Sequence, residues 1–197
     1  MSEEKFKKYY EEISGVRNLK EEVTRYKKAS FLAGVPAGAK VLDIGCRDGA
    51  LWNYLGKEVQ YMGIEIVKQF ASQHVKTQDI SKGTDFENDT FDYVFCIEVL
   101  EHVKNPYFVL MEIKRILKPN GFLILSVPNP YHFKEIIWNI FNVPDKTGHI
   151  YSWTKQTFRK LIKFCDFKLV SMKGTYLIPG FSWDGFCSRS FIYKLQK

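Results

Sequence analysis

The chain has 197 residues, enough for one domain with a real core, and its 45% hydrophobic and 26% charged residues are the balance of a soluble globular protein. No apolar run approaches the roughly 20 residues needed to cross a bilayer, and the opening MSEEKFKKYYEE lacks the apolar stretch of a secretory signal, so a cytoplasmic protein without a membrane span is expected. The net charge of +7 sits in the last third, where residues 130–197 carry 11 Lys/Arg against 4 Asp/Glu; a solvated lysine-rich surface is the preferred reading, and an anionic partner such as nucleic acid the alternative.

Taken in chain order, the pattern alternates between helix and strand, which predicts an α/β fold with a parallel sheet. Residues 1–35 form an N-terminal helical segment, with Leu19, Val23, Tyr26 and Ala29 spaced at three to four and a stop at Gly34-Val35-Pro36. A strand at Val41–Ile44 is broken by Gly45 and followed by a helix near 49–56. A second strand, from Tyr61, ends at Glu65-Ile66, and a third short one runs into Gln78-Asp79-Ile80. The polar stretch SKGTDFENDT is a loop before a strongly apolar fourth strand, Phe91–Ile97, and a helical turn at 98–103. Asn105-Pro106 reads as an N-cap followed by proline at the first helical position, opening a helix to Leu117. Lys118-Pro119-Asn120-Gly121 is a turn into a fifth strand, Gly121–Val127. Residues 133–141 are an amphipathic helix, Thr154 caps another carrying Phe158, Leu161, Ile162 and Cys165, and strands near 166–173 and 189–195 close the chain. The four cysteines, Cys46, Cys96, Cys165 and Cys187, form no CxxC pair and read as reduced thiols.

The stretch VLDIGCRDG at 41–49 joins a strand, a tight glycine turn and a helix start, the arrangement that receives a ligand beyond the carboxyl ends of an open sheet. Gly45 and Gly49 let the backbone approach where a Cβ would obstruct. Glu65 ends the next strand, where a carboxylate can take both hydroxyls of a ribose. Asp43 discriminates between ligands. A carboxylate two residues before the first glycine repels the pyrophosphate of a dinucleotide, and only two glycines stand where GxGxxG needs three. S-adenosylmethionine, which carries an ammonium and a sulfonium, is complementary to that carboxylate.

On these residues the sequence resembles the class I methyltransferases that use S-adenosylmethionine, above all the ubiquinone/menaquinone-biosynthesis type, over roughly 38–170. VLDIGCRDG is similar to that family's VLDxGCGxG and YMGIEI to its second acidic strand. FDYVFCIEVLEHV is similar to its fourth strand and following helix, RILKPNGFLILSVPN to its fifth-strand region, and HIYSWTKQTFRKLIKFCDFKLV to its later helix–strand unit. The resemblance implies a Rossmann-like seven-stranded sheet, mostly parallel with one antiparallel strand near the C-terminus and helices on both faces. It implies one methyltransferase domain over 1–197, with a lid or substrate insertion at 131–160. Gly45, Cys46, Arg47 and Gly49 would pass the methionine moiety, with Asp43 complementing its charge. Glu65 and Ile66 would take the ribose, Asp79 and Ile80 the adenine, and Ile97 and Glu98 would line the sulfonium end. Arg47 departs from the family, standing where its middle glycine falls, which leaves open a cofactor-binding protein of the same fold without catalysis.

Methyl transfer is an in-line displacement on an activated sulfonium, so the protein chiefly aligns the acceptor and removes its proton. Glu98, Glu101 and His102, at i, i+3 and i+4, fall on one face if the turn is helical, and His102 is the candidate base or positioning group. The preferred reading assigns no metal. The alternative is a divalent ion on Glu98, Glu101, His102 and His149, a set similar to one in small-RNA 2′-O-methyltransferases. Pro128-Asn129-Pro130-Tyr131 reads as a loop into the lid, since the Asn-Pro-Pro-Tyr motif of amino-group methyltransferases differs in order and follows the fourth strand. The expected acceptor is a small molecule, anionic or aromatic and methylated on oxygen rather than nitrogen or carbon. An RNA acceptor is the alternative, and oligomeric state is left open.

Overall fold

Helix and strand alternate as the pattern predicts, but the helices are unequal in length. The computed structural model describes residues 19–56, 58–144, 148–178, 181–182 and 184–197. Helix α1 (Leu19–Ala33) ends where Gly34 takes a left-handed φ of 59° and donates its N–H to Ser30 O. Residues 1–18 of the N-terminal segment and 145–147 of the expected lid lie outside the described residues. Strands β1 (Lys40–Ile44), β2 (Gln60–Glu65), β3 (Val75–Thr77) and β4 (Phe91–Ile97) follow. Helix α2 (Pro106–Ile116) starts with Asn105 accepting from Phe108 N–H, and leads into β5 (Leu117–Pro128). Helix α3 (Phe133–Ile140) precedes α4 (Lys155–Phe164), which Thr154 caps by accepting from Thr157 N–H. The chain closes through β6 (Lys168–Gly174), a small hairpin of β7 (Tyr176–Ile178) and β8 (Phe181–Ser182), and β9 (Ser190–Gln196).

Three expectations are corrected. The helix near 49–56 is a five-residue 3₁₀ turn, Ala50–Tyr54. Gly49 and Gly56, both at positive φ, bracket too few residues for two α-turns, and i→i+3 bonds from Trp52 and Leu55 N–H take over. The helical turn at 98–103 shrinks to a 3₁₀ turn at Leu100–His102, because Glu98 sits at φ 56° and cannot continue a helix. The KPNG turn is an excursion inside β5 rather than its prelude: Asn120 takes φ 65°, and the pairing of β4 with β5 shifts register between Phe91 and Tyr93.

The sheet has seven strands in the order β3-β2-β1-β4-β5-β9-β6, parallel except for β9, which runs antiparallel to both its neighbours. Side chains alternate across it. One face buries Leu42, Ile44, Val94, Cys96, Leu123 and Leu125 against Val109, Leu110 and Ile113 of α2 and Phe158 and Ile162 of α4. The other face buries Val41, Tyr93, Phe95, Ile124 and Ile192 against Ala29 and Ala33 of α1 and Leu51 of the first 3₁₀ turn. Strand order reverses at β1, so the crevice beyond the carboxyl ends of β1 and β4 is where the topology makes room for a ligand.

Candidate active site

The glycine turn is fixed by its own backbone. Gly45 and Cys46 donate to Ile64 O at 2.9 and 3.3 Å, and Gly49 N–H closes onto Cys46 O at 2.9 Å. Gly45, at φ 67°, passes so close to Val99 that a Cβ would stand 2.5 Å from its Cγ2. Only glycine fits there. Cys46 is buried under the turn, and burial, aided by the charges of Asp43 and Glu65, pushes its thiol far above the usual range, so it packs rather than reacts.

Two carboxylates lie beneath and beside the turn. Glu65, at the end of β2, is buried and accepts from Arg47 N–H at 2.9 Å and Val67 N–H at 3.1 Å. An ionised carboxylate has about four acceptor directions, so two remain for vicinal hydroxyls. Asp43 accepts from the Tyr61 hydroxyl at 2.8 Å and is buried on the α1 face of the sheet. Burial, with Glu65's charge adding, raises its pKa to about 7. A cation arriving here would restore it to the ionised form. A tightly approached backbone turn, a desolvated carboxylate awaiting positive charge and a second carboxylate with spare acceptors fit S-adenosylmethionine.

At the expected adenine end, Asp79 turns back on itself, accepting from Ser81 N–H at 3.0 Å and Ser81 Oγ–H at 2.6 Å, while Ile80 is buried. Neighbouring Gln78, which the sequence did not single out, keeps its Oε1 buried without a hydrogen-bond partner. Ile66 and Ile97 are half-buried at the ends of β2 and β4.

The residues after β4 divide into two groups rather than sharing a face. Glu98 is drawn toward β5, β9 and α1: it accepts from Ser126 Oγ–H at 2.6 Å and Ser190 Oγ–H at 3.0 Å, and pairs with Arg25 at 3.1 Å. Glu101 and His102 turn instead toward the 148–151 segment, whose Ile150 and Tyr151 N–H groups donate to Glu101 O at 2.7 and 3.2 Å. His102 Nδ1 lies 3.2 Å from Gly148 O. A carbonyl only accepts, so Nδ1 carries the proton and Nε2 is the basic nitrogen. One donor atom from each of Glu101, His102 and His149 lies within 4.8 Å of the others. Glu101 is fully buried with neither carboxyl oxygen hydrogen-bonded, and burial, reinforced by Glu98, pushes its pKa well above the usual range. The four-residue set is thereby corrected to three, because Glu98 is spent on Ser126, Ser190 and Arg25.

Sequence reasoning missed Tyr61, which reaches Asp43 from the neighbouring strand, and Arg25, Ser126 and Ser190, which meet Glu98 from distant parts of the chain. Asn129 is buried, its amide nitrogen donating to Phe186 O at 2.8 Å and Ser188 O at 2.7 Å. Helix α3 buries none of its residues: Phe133, Ile136, Ile137 and Trp138 are each about two-fifths exposed, and Ile140 and Phe141 more so.

The methyltransferase-domain family model matches residues 16–172. The chain belongs to that family. Its cofactor is accordingly S-adenosylmethionine. The chain is 36% identical over 144 residues to an uncharacterized protein of Methanocaldococcus jannaschii, covering 71% of this chain and 59% of that one. It is 35% identical over 109 residues to the ubiquinone biosynthesis O-methyltransferase of Haemophilus ducreyi, covering 47% of this chain and 46% of that protein. The chain thus spans about half the length of these curated relatives. A solved S-adenosylmethionine-dependent methyltransferase from Archaeoglobus fulgidus shares its fold at TM-score 0.69 and 18% identity, over 92% of this chain and 96% of that one. Among the described residues no helix is long and apolar enough to cross a membrane.

Proposed function

We propose that the chain transfers the methyl group of S-adenosylmethionine to an oxygen of a small anionic or aromatic acceptor, as one cytoplasmic domain with 131–160 as its lid. The observation that carries this is the pair of buried carboxylates, Asp43 and Glu65, set around a glycine turn at the point where strand order reverses. In this reading the backbone of Gly45, Cys46, Arg47 and Gly49 receives the methionine end, with Asp43 answering its ammonium. Glu65 and Ile66 hold the ribose, and Asp79 and Ile80, joined by the unpartnered Gln78 oxygen, hold the adenine. Ile97 and Glu98 border the sulfonium. His102 is the base: its Nδ1–H is anchored on Gly148 O, which presents Nε2 as the nitrogen to take the acceptor's proton. Oxygen as the methylated atom is supported by the O-methyltransferase among the relatives. The lid is supported by α3, whose apolar side chains are half-exposed rather than packed as core.

A second reading is favoured by Glu101, whose buried carboxyl oxygens lack any hydrogen-bond partner beside two histidines. A divalent cation on Glu101, His102 and His149 would compensate that carboxylate and, when bound, would acidify a hydroxyl acceptor. One calorimetric experiment separates the two. The full chain is titrated with S-adenosylhomocysteine, and then with a catechol, with and without Mg²⁺ or Mn²⁺. Saturable adenosylhomocysteine binding that Glu65→Ala weakens by about a hundredfold, two charge-assisted hydrogen bonds being lost, is expected. Firm binding of NAD in its place would overturn the assignment. Catechol binding that needs metal, and is lost in Glu101→Gln even with metal present, selects the cation; indifference to metal selects His102 acting alone. Steeply salt-dependent RNA binding would point to the RNA acceptor instead.

A further inference from the structure

Arg47 interrupts the glycine turn with a large side chain in a left-handed conformation, φ 53°, which a glycine would adopt without strain. Its backbone N–H still serves the site, donating to Glu65 at 2.9 Å. Its side chain does not fill the crevice at random. The guanidinium stands 5.3 Å from the centre of the Phe70 ring, and Nη1 pairs with Glu22 of α1 at 3.4 Å, the two side chains being only 21% and 17% exposed. Glu22 is the first of a stripe along α1. One turn on, Arg25 pairs with Glu98 at 3.1 Å, and the half-buried Tyr26 is close enough to Asp43 for that carboxylate to push its hydroxyl pKa up, after burial itself. Two further turns on, Ala29 and Ala33 are fully buried against the sheet. The C-terminal half of α1 is therefore anchored by apolar packing, while its N-terminal half is tied by charge to Arg47, just after β1, and Glu98, just after β4. Charge pairs of this kind open far more readily than a packed alanine seam.

We propose that Arg47 and Glu22 form a latch that closes the first turns of α1 over the glycine turn, so that bound cofactor and its product leave at a rate set by this pair. The assignment rests on the proposed placement of the methionine end along Gly45–Gly49. An arginine that only bolstered the fold would be a poor choice at this position, since glycine removes the strain, and a strained residue here points to a task at the site. The latch also accounts for the departure of position 47 from glycine without loss of the site, because the side chain leaves the turn for α1.

The test compares dissociation of S-adenosylhomocysteine from the wild-type chain, Arg47→Gly, Glu22→Gln and the charge-exchanged pair Glu22→Arg with Arg47→Glu, alongside their melting temperatures. Each single variant releases the ligand about tenfold faster, the equivalent of one charge-assisted hydrogen bond, and the exchanged pair recovers most of the slow release. Arg47→Gly melts no lower than the wild type, because the backbone relaxes. Unchanged release in both single variants, or a fall in melting temperature that tracks faster release, overturns the latch while leaving the cofactor site standing. Failure of the wild type to bind adenosylhomocysteine overturns the site and the latch together.

Discussion

The two wings of the sheet solve the same covering problem differently. On the β4-β5-β9-β6 side, α2 and α4 lay full-length helices along the strands, and Val109, Leu110, Ile113, Ile116 and Phe158 have no solvent exposure. On the β1-β2-β3 side, each strand is followed only by a 3₁₀ turn, at Ala50–Tyr54, Lys68–Phe70 and Ile80–Lys82, and Met62 of β2 is 40% exposed. The thinly covered wing holds the proposed cofactor groups, Asp43, Glu65 and Asp79. Short turns leave the carboxyl ends of the strands open for a ligand, and α1 is brought in from earlier in the chain to cover them. Stability and ligand access are thus divided between the wings.

If that division is real, truncation should hurt the two sides unequally. Phe158→Ala removes a ring packed 4.9 Å from Tyr193 and 5.5 Å from Trp153 and should cost about 3–5 kcal/mol in denaturant unfolding. Truncating the half-buried Trp52, stacked on Tyr61 in the other wing, should cost about 1–3 kcal/mol. Equal losses would break the comparison.

Asp43 sharpens it. Its folded-state pKa, raised from 3.8 to about 7, means the folded protein keeps a proton that the unfolded chain releases. Its contribution to stability is therefore complete below about pH 4 and is lost as pH climbs toward 7. Binding of a cationic cofactor runs the other way and should strengthen as pH rises from 6 to 8, with release of a proton. Asp43→Asn should flatten both profiles in thermal unfolding and calorimetry. The smallest effect is expected at α3. Trp138→Ala combined with Phe141→Ala should change stability by less than about 1 kcal/mol, since neither side chain is buried, yet slow methylation of a catechol about tenfold. A matching loss of stability would make α3 part of the core instead of a lid.

What could be read from the sequence was local. Asn105-Pro106 and Thr154 announce their helices because a cap needs only three or four neighbouring residues. β4 is legible because a strand buried on both faces is a plain apolar run. The same logic failed where a short loop overrides periodicity. Ala50–Tyr54 lacks the length for an α-helix between two left-handed glycines, and Glu98 at positive φ cuts an otherwise helical i, i+3, i+4 pattern. The β7–β8 hairpin is too short to leave an alternating signature. In the candidate site, Asp43 and Glu65 were legible from their places at strand ends. Arg25, Ser126 and Ser190 were not, because they meet Glu98 only after the sheet and α1 have come together, and pairing across such distances leaves no mark on local pattern.

The placement of β9 has a consequence for the order of events during synthesis. This strand is inserted between β5 and β6, and its first residue, Ser190, holds Glu98 from 92 positions away. While residues 190–196 are still inside the ribosome, β5 has an open edge, β6 has no neighbour to hydrogen-bond, and Glu98 can reach Ser126 and Arg25 but not Ser190. The nascent chain can therefore assemble β1 to β5 and the glycine turn before Ser190 arrives to complete the hydrogen bonding of Glu98.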